Sequence, residues 1–133
     1  MSAVAHRTEV RVYYEDTDFS GSVYHASYLR FMERGRTEFL RDLGIHHSEL
    51  IGEGIAFAVR SMQIEFVAAA RIDDVLVVET MVEETSGVRM RLRQRIERDG
   101  VALVTAEVVV VAIRAGGGAT RLPKALRERV GGG

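Results

Sequence analysis

Apolar and polar residues alternate along this chain with two different periods. From Thr8 to Tyr14, Val10, Val12 and Tyr14 alternate with Glu9, Arg11 and Tyr13, which predicts a strand. From about His25 to Leu43 the spacing lengthens. Tyr28, Leu29, Met32, Phe39, Leu40 and Leu43 then share one helical stripe, with Arg30, Glu33, Arg34, Arg41 and Asp42 on the other side. Gly44 is a natural stop for this helix. At the usual rise per residue the helix is ~28 Å long. Gly35 lies in its middle, where a glycine costs ~1 kcal/mol relative to alanine. Close approach of another backbone is the expected compensation.

A short helical turn is expected over His46 to Gly52, and strands thereafter. Ile55 to Val67 reads as one long strand and Val75 to Glu84 as the next, after the Asp73-Asp74 turn. Val88 to Arg98 alternates strictly, with Val88, Met90, Leu92 and Ile96 on one face and Arg89, Arg91, Arg93, Arg95 and Glu97 on the other. Asp99-Gly100 signals a hairpin, and Val101 to Arg114 is almost continuously apolar, as at the centre of a sheet. Pro123 opens a terminal helix over Lys124 to Val130. One strand, one long helix and then consecutive strands on short turns favour an α+β fold, an antiparallel sheet with the helix laid across it.

Composition narrows the function classes. The 133 residues are the size of one domain, expected over 1–133, and 47% apolar with 28% charged is ordinary for a globular protein. A net charge of −1 gives no broad electrostatic grip on nucleic acid or an anionic membrane. With no cysteine, a disulfide framework, a thiolate nucleophile and a Cys-based metal site are excluded. Met1 to Val10 lacks the apolar run of a signal peptide, and the longest apolar run, Val108 to Ile113, is too short for a bilayer. A cytoplasmic location is expected. The four histidines are scattered without a metal-ligand spacing.

The candidate chemistry lies in Tyr13 to His25, the junction between the first strand and the long helix. Cleaving a thioester needs donors facing the carbonyl oxygen and a carboxylate that attacks the carbonyl or activates water. The opening of a helix offers free N–H groups and a favourable dipole. A backbone N–H near His25 would polarise the carbonyl, and Asp18 would be base or nucleophile. Asp16 reads as a turn-stabilising residue. Asp16-x-Asp18-x-Ser20-Gly21 imitates a calcium loop, but its twelfth position is Ser27 rather than the required Glu.

The run Val-Tyr-Tyr-Glu-Asp-Thr-Asp at 12–18, with Gly21 and Val23-Tyr24-His25-Ala26-Ser27-Tyr28, resembles the hotdog-fold acyl-CoA thioesterases, in particular the Tol–Pal-associated, 4-hydroxybenzoyl-CoA thioesterase-like family. The similarity continues through Glu33-Arg34-Gly35-Arg36-Thr37-Glu38, Val59-Arg60, Ile64-Glu65-Phe66 and Ala70-Arg71-Ile72-Asp73-Asp74. The resemblance implies a hotdog fold, an antiparallel sheet wrapped around one long central helix. It implies Asp18 as the catalytic carboxylate and His25 in the active site, either holding the loop or orienting Asp18 or water. It also implies an acyl-CoA substrate, with coenzyme A part of that substrate and no further cofactor. An acyl carrier protein is an alternative carrier, and a homodimer or homotetramer is the expected assembly. The long Ile55 to Val67 strand has few edge-blocking charges, which agrees with a second chain pairing there.

Tyr24 is a candidate pocket residue, whereas Tyr14 reads as packing. Phe19 and Ser20 stand where the family often has small residues, and Ala69 where it often has proline; Phe19 is expected to narrow the acyl pocket. Arg89 and Arg91 are candidate contacts for the phosphates of coenzyme A. Glu33 and Glu38 read as structural. Two other readings keep the same pocket: a non-catalytic module that binds an acyl thioester or a partner, and a hydratase or dehydratase.

Overall fold

A computed structural model describes residues 5–129. Strand β1 (His6–Arg11) leads through a 3-10 turn at Tyr14–Asp16 to helix α1 (His25–Asp42). The short helix α2 (His47–Gly52) follows, then β2 (Ile55–Phe66), β3 (Val75–Thr85), β4 (Arg89–Arg98), β5 (Val101–Arg114) and α3 (Lys124–Arg129). The strands form one antiparallel sheet in the order β1-β3-β4-β5-β2. This is the α+β arrangement expected, with α1 packed on one face. Val130, the expected end of the last helix, lies outside the described residues.

Hydrophobic burial fixes α1 on the sheet. Tyr28, Phe31, Met32, Phe39 and Leu40 are buried and pack with Val78, Leu92, Val108 and Val110. Each large side chain so buried is worth about 1.5–3 kcal/mol. Phe31, absent from the expected stripe, is fully buried, while Leu29, included in it, is 42% exposed. The helix is therefore rotated slightly from the orientation that its apolar count alone favours.

At Gly35 the helix lies tight against the sheet. A Cβ there would stand 2.6 Å from Val78 Cγ1 and 3.3 Å from both Gln94 Nε2 and Thr80 Oγ1. The expected close approach exists, but side chains rather than backbone make it. Buried Gln94 satisfies its amide locally: Nε2 donates to Met32 O and Thr80 Oγ1 at 3.0 Å, and Arg36 Nη1 donates to Gln94 Oε1 at 3.0 Å.

The two free edges of the sheet differ. β1 has 6 residues with charges at Arg7, Glu9 and Arg11. β2 has 12 residues, no proline and the partly exposed apolar residues Val59, Met62, Ile64 and Phe66. Its one irregularity is a register shift between Val59 and Ser61. Between β4 and β5, Asp99 (φ 52°) and Gly100 (φ 81°) form the hairpin turn the sequence signals, both in the left-handed region.

Candidate active site

β1 ends earlier than its alternation suggests. Val12 still pairs with the start of β3, through Val12 N to Asp74 O at 2.8 Å and Asp73 N to Val12 O at 3.0 Å. Beyond it, Tyr13 N donates to Asp16 Oδ2 at 2.9 Å, and the chain curls into the 3-10 turn. Tyr14 is consequently 79% exposed rather than packed, because a turn does not continue the strand's inward alternation.

Residues 16 to 24 then form a small hairpin. Tyr24 N donates to Asp16 O at 3.0 Å, Thr17 bridges Val23, and Asp18 N donates to Ser22 O at 2.9 Å. Gly21, with φ of 86°, closes its tip. The outgoing leg carries Asp18 and the return leg runs directly into α1. The hairpin rests against the segment before β3: Val23 N donates to Ala70 O at 2.9 Å and Ile72 N to Gly21 O at 3.0 Å. Tyr28, on the first turns of α1, receives Ala70 N on its hydroxyl at 2.8 Å.

Asp16 is buried and fully engaged. Its Oδ2 accepts from Tyr13 N, its Oδ1 from Arg30 Nη2 at 3.2 Å, and its carbonyl from Tyr24 N and from Ser27 Oγ at 3.1 Å. This geometry is that of a turn-stabilising residue. Asp18 is exposed. Its Oδ1 accepts from Ser20 N at 2.7 Å and Ser20 Oγ at 2.5 Å, while Oδ2 has no partner among the described residues. The Ser20 hydroxyl and amide hold the Asp18 carboxyl below its ordinary value, helped by the Ser22 backbone and the charge of Arg71.

The mouth of α1 is open. Its N-cap, Tyr24, has no side-chain cap, and among the described residues no acceptor answers the N–H of His25 or Ala26. These are the orphan donors of a helix start, at the positive end of its dipole. The His25 ring stacks on Phe66, at the end of β2, with centroids 4.3 Å apart and planes 21° from parallel. Tyr24 is exposed beside this mouth, and Phe19 projects fully into solvent at the hairpin tip rather than into a pocket of its own chain.

The structure thus brings Asp18, Tyr24 and His25 into one hairpin and helix mouth, with Phe19 at its tip. It does not bring Arg89 and Arg91 there within one chain. The Asp18 end of the sheet is marked by Arg71, Asp74 and Arg98, which donates to Asp74 Oδ2 at 2.6 Å. Arg89 is at the other end of β4, roughly 30 Å away at the usual strand rise. Arg91 stands 3.9 Å from Glu84, and Arg93 reaches Glu83 at 3.0 Å, so much of this row is paired along the outer sheet face. Three residues of the site carry weight that sequence reasoning did not give them: Ser20, Arg71 and Phe66. The Asp-x-Ser spacing of 18–20 was a readable signal, since short polar side chains bond backbone two residues on in turns.

A cavity of about 150 Å³ lies between α1, α2 and the sheet. Phe39, Leu40, Phe57, Val59, Leu92 and Val110 line it, and Glu33, Arg36 and His47 also border it. It adjoins the first half of β2, whereas His25 and Phe66 mark the strand's last residue. Among the described residues no cluster of side chains suited to a metal ion occurs, and no helix is long and apolar enough to cross a membrane.

An antiparallel sheet packed on one long helix is the hotdog arrangement of thioester-processing proteins, and in this chain an exposed carboxylate lies on the hairpin that leads into the uncapped helix start. Comparison with known proteins gives the same class. Residues 12–130 match the model of the thioesterase-like superfamily. The chain is 46% identical over 108 residues to the acyl-CoA thioesterase YbgC of Haemophilus influenzae, covering 80% of this chain and 79% of that one. It is 45% identical over 114 residues to the acyl-CoA thioester hydrolase YbgC of Escherichia coli O6:H1, covering 85% of each. A probable thioesterase from Bartonella henselae superposes with a TM-score of 0.86 at 43% identity, over 90% of this chain and 100% of that one. The chain belongs to the thioesterase-like superfamily, and the resemblance to its Tol–Pal-associated acyl-CoA thioesterases holds.

Proposed function

We propose that Asp18 carries the chemistry of this acyl-CoA thioesterase, with the N–H groups of His25 and Ala26 as the oxyanion donors. The observation that carries the reading is the pairing of an ionised, exposed carboxylate with an uncapped helix start on one short hairpin. The thioester carbonyl oxygen sits on the helix donors, which gain strength as charge develops. Asp18 takes a proton from water as the water oxygen adds to the carbonyl carbon. Collapse of the tetrahedral intermediate breaks the C–S bond, and the leaving thiolate of coenzyme A takes up the proton. In the nucleophilic variant, Asp18 itself adds to the carbonyl, collapse breaks the C–S bond and expels the coenzyme A thiolate to leave a mixed anhydride, and water then hydrolyses it, freeing Asp18 and supplying the thiolate's proton. His25, stacked flat on Phe66, fixes the helix mouth and borders the carbonyl site.

A homodimer completes this site. The bare edge of β2 is a template for a second β2. Antiparallel pairing about the strand's midpoint exchanges its ends, so the apolar cavity of one subunit comes beside the helix mouth of the other. An acyl group reaching from the carbonyl then enters that cavity. The same pairing is the route by which Arg89 and Arg91 approach a phosphate of the bound coenzyme A, and by which Phe19 and Tyr24 border the acyl group. Acyl carrier protein is a second carrier of the same thioester, and the compartment is the cytoplasm.

The deciding experiment is thiol release from a panel of acyl-CoAs and acyl-carrier-protein thioesters, for wild type and Asp18→Asn. Turnover by the wild type and its loss in the variant is the expected result. Binding without hydrolysis, unchanged in Asp18→Asn, would make the chain a non-catalytic module. After a single turnover in ¹⁸O-water, label in Asp18 marks the nucleophilic route with water adding at the Asp18 carbonyl of the anhydride, and hydroxylamine trapping detects the anhydride whichever carbonyl water attacks.

A further inference from the structure

The two oxygens of the Asp18 carboxylate are not equivalent. Oδ1 receives two donors from one residue, the amide and the hydroxyl of Ser20, at 2.7 and 2.5 Å. Any residue except proline at position 20 could supply the amide; serine or threonine adds a hydroxyl this close to the backbone. Ser20 is itself held from behind. Arg71 Nη2 donates to Ser20 O at 3.3 Å and Arg71 Nη1 to Ser22 Oγ at 3.2 Å, so one guanidinium spans both sides of the turn. Arg71 is anchored in turn, since its own N–H donates to Asp74 Oδ2 at 2.8 Å, the oxygen that also receives Arg98. Arg71 has no carboxylate within ion-pair distance among the described residues, and its charge favours the ionised form of both Asp18 and Asp74.

We infer that Ser20 is a positioning residue: its hydroxyl, backed by Arg71, immobilises Oδ1 of Asp18 and leaves Oδ2 as the oxygen that reacts. An exposed aspartate otherwise turns freely about its side-chain torsions and presents either oxygen in many directions. Two donors on one oxygen, one from backbone and one from side chain, select a single orientation. Catalysis depends strongly on such placement, since a small misalignment of the reacting group lowers rate without changing binding. The same bonds favour the ionised form, which is the form either mechanism uses. This inference rests on the reading of Asp18 as the reacting group.

The test uses full-length protein with Ser20→Ala, Ser20→Thr and Arg71→Gln. Each is followed by steady-state kinetics against pH and by ¹³C NMR titration of the Asp18 carboxyl. In Ser20→Ala, kcat falls about threefold to tenfold, as for loss of one ordinary hydrogen bond at an exposed site, while KM holds. The carboxyl titration and the acid limb of kcat both move to higher pH. Ser20→Thr restores both, and Arg71→Gln shows a smaller change of the same kind. Unchanged kinetics and titration in Ser20→Ala overturn the inference. So does a change confined to KM, which would make Ser20 a substrate contact. If the carboxyl titration moves but kcat and its acid limb do not, Ser20 holds Asp18 as described but Asp18 does not react. That outcome overturns the catalytic reading of Asp18 and the positioning role with it.

Discussion

Asp16 and Asp18 sit on the same turn, separated by one threonine, and live in opposite surroundings. Asp16 is 4% exposed, with one oxygen on the Tyr13 amide and the other on Arg30. Asp18 stands in solvent, with one oxygen held by Ser20 and the other without a partner among the described residues. The first carboxylate holds the chain together and has nothing left to offer a substrate. The second is oriented on one side and open on the other. Proximity in sequence says little about which of two carboxylates does chemistry; the count of oxygens already committed to donors says more.

Four measurements break or sharpen that contrast. Asp18→Asn lowers kcat by about 10²–10⁴-fold, the usual range for loss of a general base, while thermal unfolding stays near wild type. A comparable fall in Asp16→Asn at full folding would erase the distinction. Asp16→Ala leaves the Tyr13 N–H and the Arg30 guanidinium without their acceptor and costs about 1–3 kcal/mol of stability, read by denaturant midpoint. Its residual activity per folded molecule exceeds that of Asp18→Asn.

The pH profile provides the next test. The Asp18 carboxyl lies below its ordinary 3.8, through Ser20's hydroxyl first. Activity that needs the carboxylate is therefore retained as pH falls to 3.8 and is lost only as pH falls through the lowered value. The stability it contributes follows the same sign, present above the unfolded-state value and lost through the folded one. Acid denaturation limits the window, so kcat/KM is taken from short assays with folding checked at each pH. The smallest effect is expected from Arg30→Gln, which removes a half-exposed pair worth ~1 kcal/mol or less. A larger loss there would mean that Asp16 depends on its cation more than on the Tyr13 amide.

Much of this was legible in the residues. The alternation of Val88 to Arg98, the Asp99-Gly100 turn and the long helix with a glycine at its centre all specify local geometry, and local geometry survives into the fold. The polar turn that holds Asp18, between a strand and a helix start, was legible in the residue types, while its candidacy as the reacting carboxylate came from the resemblance. What escaped depends on tertiary placement. Leu29 and Phe31 are both apolar on the same helix, and only the sheet beneath decides which is buried. Tyr14 continued the alternation on paper, but the Asp16 side chain takes the Tyr13 amide and ends the strand. Arg89 and Arg91 follow the right face, yet alternation carries no information about which end of a sheet a residue occupies.

Gly35 sets the depth at which α1 rests on Val78, and α1 is the rod that carries the His25 amide at its tip, roughly 15 Å away at the usual helical rise. Depth at one end is therefore a dial for the other. A methyl group added at Gly35 alone collides with Val78 Cγ1; paired with Val78→Ala it loses that collision and keeps two tight 3.3 Å contacts, to Gln94 Nε2 and Thr80 Oγ1. Substitutions here should be accepted as a coupled pair or refused singly. Such pairs offer a way to shift the proposed oxyanion donor by fractions of an ångström relative to Asp18 without altering any atom of the candidate site.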